Sequence, residues 1–148
     1  MRRLLLTSLF ALMPMTSFAQ APHAEAEAEA VRTTILDYVE AFYQVAPGRL
    51  ESSVDHRLAK IGWTRDEQGA FHEHPRSYQQ LLEGARRYNK NGWLPVDAPK
   101  EITIYEVLDK TASAKLVAQW GIDYLHLAKL EGRWKIINVI WQDHPPKD

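Results

Sequence analysis

The second half of the chain constrains the fold most. From Glu101 to Gln142 the apolar residues follow strand patterns, and the interruptions are too short to hold a helix. Glu101 to Leu108 alternates around Ile102, Ile104, Tyr105 and Val107, and Asp109-Lys110-Thr111 turns the chain. A long run then extends from Ala112 to Leu130, Glu131-Gly132 makes a tight turn, and Arg133 to Gln142 returns. Strands joined by such short turns pair antiparallel. The run from Ala112 to Leu130 exceeds the usual strand length of about 3–10 residues. Gly121 sits near its middle, and a glycine inside a strand often marks a bulge or bend. The pattern therefore predicts one long strand bent at Gly121, within a strongly curved antiparallel sheet.

The first half is helical. Ala24 to Ala30 alternates Ala and Glu, which favours helix by propensity. Val31, Ile35, Tyr38/Val39, Phe42 and Val45/Ala46 then recur at helical spacing, so one face turns to a core. Pro47-Gly48 stops that helix. Leu50, Val54 and Leu58 stand at four-residue steps and predict a second, shorter helix. Ile61-Gly62-Trp63-Thr64 and Ala70-Phe71-His72 flank a polar, Gly-containing loop and read as a small hairpin. Ser77 opens a third helix, with Gln80 placed for a capping box and Leu81, Leu82, Ala85 and Tyr88 as its buried face. Helices followed by a strand meander define an α+β fold in which the helices cover one face of the sheet. A curved sheet wrapped around its N-terminal helices leaves a pocket on its concave side.

The N-terminus carries an export pattern. Arg2-Arg3 precedes the apolar run Leu4 to Met15, and Ser17 and Ala19 supply the small residues of a cleavage site. Cleavage after Ala19 is expected, with residues 1–19 as signal peptide and 20–148 as one domain in the periplasm or secreted. The apolar run falls short of the roughly 20 residues that span a bilayer, so no membrane anchor is expected after cleavage. The chain has no cysteine, so a packed core must supply all its stability. A formal net charge of −1 argues against a nucleic-acid partner, which calls for a basic patch.

A resemblance lies in the C-terminal half. Trp120-Gly121-Ile122-Asp123-Tyr124-Leu125-His126-Leu127-Ala128-Lys129-Leu130, followed by Glu131-Gly132-Arg133-Trp134-Lys135-Ile136-Ile137-Asn138-Val139, resembles the "Putative lumazine-binding" family of the nuclear transport factor 2-like superfamily. The segment Val54 to Lys60 before Trp63 supports it. The resemblance implies a cone-shaped, cystatin-like α+β barrel with an apolar cavity, often dimeric through the outer face of the sheet. The superfamily holds isomerases, dehydratases and epoxide hydrolases beside non-catalytic binding proteins, so the fold alone does not name the function.

Candidate chemistry is sparse. Asp123 lies in a strand built to be buried. A carboxylate among apolar neighbours has a raised pKa and can serve as a general base; the competing reading is a structural carboxylate paired with a local donor. His56, beside Asp55, could shuttle a proton at a pocket rim, or be a surface residue. His72 and His74 share one face of a regular strand, which is half of a metal site, since zinc takes three or four protein ligands. No metal and no cofactor is expected. Tyr38, Phe42, Trp63, Trp120 and Tyr124, with Asp123, are the expected pocket residues; a regular strand puts Trp120 and Tyr124 on one face, a bulge at Gly121 puts them on opposite faces, and the bend is expected to keep Trp120 and Asp123 both near the cavity with Trp63 at its mouth. Aromatic walls with a few polar groups suit a small apolar or aromatic molecule. The second reading is a cofactor-independent isomerase, lyase or hydrolase using Asp123 or His56. Both alternating sets of Glu101–Leu108 and Arg133–Gln142 are apolar, so the outer set predicts a homodimer.

Overall fold

The structure is a computed structural model and describes residues 20–146; the expected cleavage site lies outside them. Helix α1 spans Gln20–Tyr43 and α2 spans Pro47–Ser53. Strands β1 (Val54–Arg65) and β2 (Phe71–Arg76) follow, then α3 (Tyr78–Arg87). The meander is β3 (Lys100–Val107), β4 (Thr111–Ala118), β5 (Gly121–Leu130) and β6 (Arg133–Gln142). The six strands form one curved sheet in the order β2-β1-β6-β5-β4-β3. All pairs are antiparallel except β1 with β6, so the sheet is mixed rather than purely antiparallel. The parallel pair is possible because most of the chain lies between its two strands, and parallel neighbours need a long crossover.

The helices pack on one face as the patterning requires. Val31, Ile35, Tyr38 and Val39 of α1 are at most 1% exposed. They meet the inward side chains Leu116 of β4, Leu125 and Leu127 of β5, and Ile136 and Val139 of β6. The capping box of α3 is formed. The Ser77 hydroxyl accepts from the Gln80 amide at 3.3 Å, and the Gln80 side chain accepts from the Ser77 amide at 2.8 Å.

Two further sequence expectations are corrected. The second helix ends at Ser53, and Val54 to Leu58 is strand. Apolar residues four apart share a face in a helix and also in a strand, so the spacing did not discriminate. The long run is not one bent strand either. Ala118 pairs with Gly121, so Gln119-Trp120 is a two-residue turn joining β4 to β5.

Candidate functional site

The site lies where the inward faces of β1, β5 and β6 meet α1 and α3. On β5 the inward set is Gly121, Asp123, Leu125 and Leu127, and Asp123 is fully buried. Asp123 pairs across with Trp141, which in turn pairs with Gly62 of β1. The Trp141 indole occupies the space a side chain at position 62 would fill; a Cβ there would fall 2.0 Å from its Nε1. Lys60, two residues before Gly62, therefore points inward as well, with Arg76 of β2 as its partner on the other side.

Three donors converge on Asp123. The Tyr38 hydroxyl donates to Oδ2 at 2.9 Å, Lys60 Nζ donates to the same oxygen at 3.3 Å, and Trp120 Nε1 donates to Oδ1 at 3.0 Å. Lys60 Nζ also donates to the Tyr38 hydroxyl at 2.6 Å. Burial, with the Asp123 charge second, holds the Tyr38 phenol well above its ordinary pKa, so it stays a neutral donor. Burial lowers the Lys60 pKa, while Asp123 works against that shift by favouring the cation.

Aromatic rings build the rest. Trp120 leaves the β4–β5 turn and packs against Phe42 at 5.3 Å between centroids, Tyr38 at 6.0 Å and Tyr88 at 5.7 Å. Edge-on and tilted contacts of this kind are favourable ring arrangements. They form one wall of a half-open cavity of about 250 Å³ lined by Tyr38, Phe42, Lys60, Arg76, Gln80, Leu81, Gly84, Tyr88, Trp120 and Trp141. Its size is just below the usual range of about 300–1,000 Å³ for ligand pockets, which limits a ligand to one or two rings.

The expected pocket residues divide. Tyr38, Phe42 and Trp120 line the cavity, and Asp123 anchors it from behind. Tyr124 does not line it: it follows inward Asp123 on a regular strand, so it faces outward and is 49% exposed. Trp63 does not guard the mouth, because Gly62 faces inward and the next residue must face outward. His56 is 78% exposed in its side chain and stands apart from the cavity. Its neighbour Asp55 is bound instead to Arg57 at 2.7 Å, which holds the Asp55 carboxyl below its ordinary pKa. His72 and His74 bond to Asp66 and Thr64 respectively. Among the described residues no group of three or more His, Cys, Asp or Glu side chains is placed to hold a metal.

Lys60, Arg76, Tyr88 and Trp141 are lining residues outside the expected pocket set, although Tyr88 was expected on the buried face of α3. Reading Val54–Leu58 as helix hid the inward parity of Lys60. Trp141 was identifiable as an aromatic on an apolar strand, without its depth or direction.

Helices held against a curved six-stranded sheet, with an aromatic cavity between them, define a nuclear transport factor 2-like protein. The sequence matches the family described as "Putative lumazine-binding" over residues 26–142, and the chain belongs to that family. A nuclear transport factor 2-like protein of unknown function from Shewanella baltica OS155 is similar in structure. The TM-score is 0.56 at 18% identity, over 88% of this chain and 99% of that one. A domain with a cystatin-like fold from Nostoc punctiforme PCC 73102 matches with a TM-score of 0.52 at 10% identity, over 82% and 79% of the two chains. The protein named "Putative Scytalone Dehydratase" from Novosphingobium aromaticivorans DSM 12444 matches with a TM-score of 0.57 at 11% identity, over 87% and 91%. At such identities these likenesses speak to fold. No curated protein matches the chain.

Proposed function

We propose that the protein is a non-catalytic binder of a small planar aromatic molecule, held in the cavity between α1, α3 and the sheet. The observation that carries this reading is the aromatic lining beside a polar floor: Phe42, Tyr88, Trp120 and Trp141 line the same half-open cavity as Lys60 and Tyr38. Asp123 gives little support to the enzymatic alternative. Its oxygens already accept from Tyr38, Lys60 and Trp120, and none of its surface is exposed. His56, outside the cavity, gives none.

Tryptophan fluorescence tests the reading, since Trp120 and Trp141 both line the cavity. The neutral quencher 4-nitrobenzyl alcohol should quench saturably. Trp120→Ala should remove most of that signal and weaken binding about tenfold, the scale of one lost aromatic wall. Quenching that rises linearly without saturation rules out a defined site.

Export and dimerisation belong to the same proposal. The N-terminal pattern from Arg2 to Ala19 supports export, with Gln20 as first residue. The outer sheet face supports a homodimer. Ile61 pairs with Ile140 and Ile140 with Tyr124, giving an apolar row across three strands, with Tyr124 49% and Ile140 44% exposed. Native mass spectrometry of protein recovered from a Gram-negative periplasm should show twice the mass of a chain beginning at Gln20. Uncleaved chain in the membrane fraction refutes export, and a monomer at micromolar concentration refutes the dimer.

A further inference from the structure

Lys60 combines burial with access. Its side chain is 8% exposed, and the residue lines the cavity. Nζ stands 2.6 Å from the Tyr38 hydroxyl and 3.3 Å from Asp123 Oδ2. It lies 5.3 Å from the centroid of the Tyr38 ring and 5.5 Å from that of Trp141. The relay continues from Tyr38, whose hydroxyl donates to Asp123 at 2.9 Å. An amine, a phenol and a carboxylate in mutual contact at the edge of an aromatic cavity are more than a binding floor requires.

We propose that Lys60 captures an aromatic aldehyde in the cavity as a reversible imine. The inference rests on the small-ligand reading above and names the ligand's reactive group. The lone pair of the neutral amine attacks the carbonyl carbon. The carbonyl π electrons move to oxygen, which gains a proton as nitrogen loses one, giving a carbinolamine. The nitrogen lone pair then forms the C=N bond while the hydroxyl takes a proton and leaves as water. The balance is one amine plus one aldehyde to one imine plus one water, with no oxidation or reduction. Tyr38 is placed to pass the proton from nitrogen to oxygen, and Asp123 to balance the charge of the protonated imine.

Two further observations favour this chemistry. Burial lowers the Lys60 pKa, which raises the share of free amine at neutral pH; desolvated lysines are activated in this way. The tyrosine stays protonated and able to donate, because burial raises its pKa.

The experiment uses 4-nitrobenzaldehyde with sodium cyanoborohydride at neutral pH, followed by peptide mapping. One nitrobenzyl group is expected, on Lys60, formed about tenfold or more faster than on Lys90 or Lys110, a small part of what holding two reactants together supplies. Excess 4-nitrobenzyl alcohol should block it, and raising the pH into the ordinary lysine range should let the surface lysines catch up. Lys60→Arg should lose the preferential adduct, since a guanidinium does not form the imine, whatever its effect on alcohol binding. Mapping the unsubstituted protein decides the matter if that variant fails to fold. Adduct spread evenly over surface lysines, or Lys60 unlabelled while the alcohol still binds, overturns the imine and leaves the binding reading standing. Absence of both adduct and alcohol binding overturns both.

Discussion

Gly121→Val is expected to leave little folded protein at physiological temperature. Gly121 has φ +143°, a conformation a β-branched residue does not adopt without strain. A Cβ placed there would lie 2.0 Å from the Gln142 carbonyl oxygen, 2.8 Å from Asp143 Cα and 2.9 Å from the Gln142 carbonyl carbon. These neighbours are backbone at the end of β6, so no side chain can swing aside. Backbone strain alone costs about 1–3 kcal/mol, and the collision should take the total beyond about 4 kcal/mol, the range reserved for structural failure. Domains are stable by only about 5–15 kcal/mol. Gly48→Ala is the control: nothing lies within 4 Å of its added Cβ, and it sits in helix α2. Alanine there should leave the melting temperature unchanged or slightly higher. A Gly121→Val protein that melts within a few degrees of the parent would show that β6 can retreat from the start of β5.

The same residue marks where sequence reasoning stopped short. Gly121 signalled an irregularity, and the structure has one there. Its nature was hidden because Gln119-Trp120 lacks the Asn, Asp or Gly that advertise a two-residue turn. Glu131-Gly132 carries that signal and was legible: both residues have positive φ, at 49° and 79°, as a tight hairpin turn needs. Helix α1 was legible because its stripe from Val31 to Phe42 is long enough for period 3.6 to be unambiguous. Residues Val54 to Leu58 were too few to tell the two periods apart. Three of the ten lining residues, Tyr38, Phe42 and Trp120, could be anticipated, with Asp123 behind them, because they lie on or beside elements whose inward faces were legible or flagged by Gly121. Lys60 and Arg76 could not, because their position depends on β1 lying beside β6. That long-range pairing leaves no local trace, and a lysine read in isolation belongs on the surface.

Asp123→Leu should cost about 3–5 kcal/mol, the usual penalty for leaving a buried charge without its partner. The substitution keeps the branched shape, with methyl groups larger than the oxygens they replace, and strands three donors at once: the Lys60 ammonium, the Tyr38 hydroxyl and the Trp120 indole N–H. With the Lys60 side chain 8% exposed, water can solvate little of the stranded charge. The melting temperature should fall by roughly 10–20 °C. A double-mutant cycle separates this account from a simple packing defect. Lys60→Met removes the stranded charge, so Asp123→Leu with Lys60→Met should be more stable than Asp123→Leu alone. The expected recovery is about 1–3 kcal/mol, within the coupling range of contacting residues. Recovery stays incomplete because Tyr38 and Trp120 still lack their acceptor, at about 1–3 kcal/mol for each donor left buried. Strict additivity of the two substitutions in urea unfolding would mean that Lys60 and Asp123 do not act as a pair, and the polar floor of the cavity would lose its physical basis.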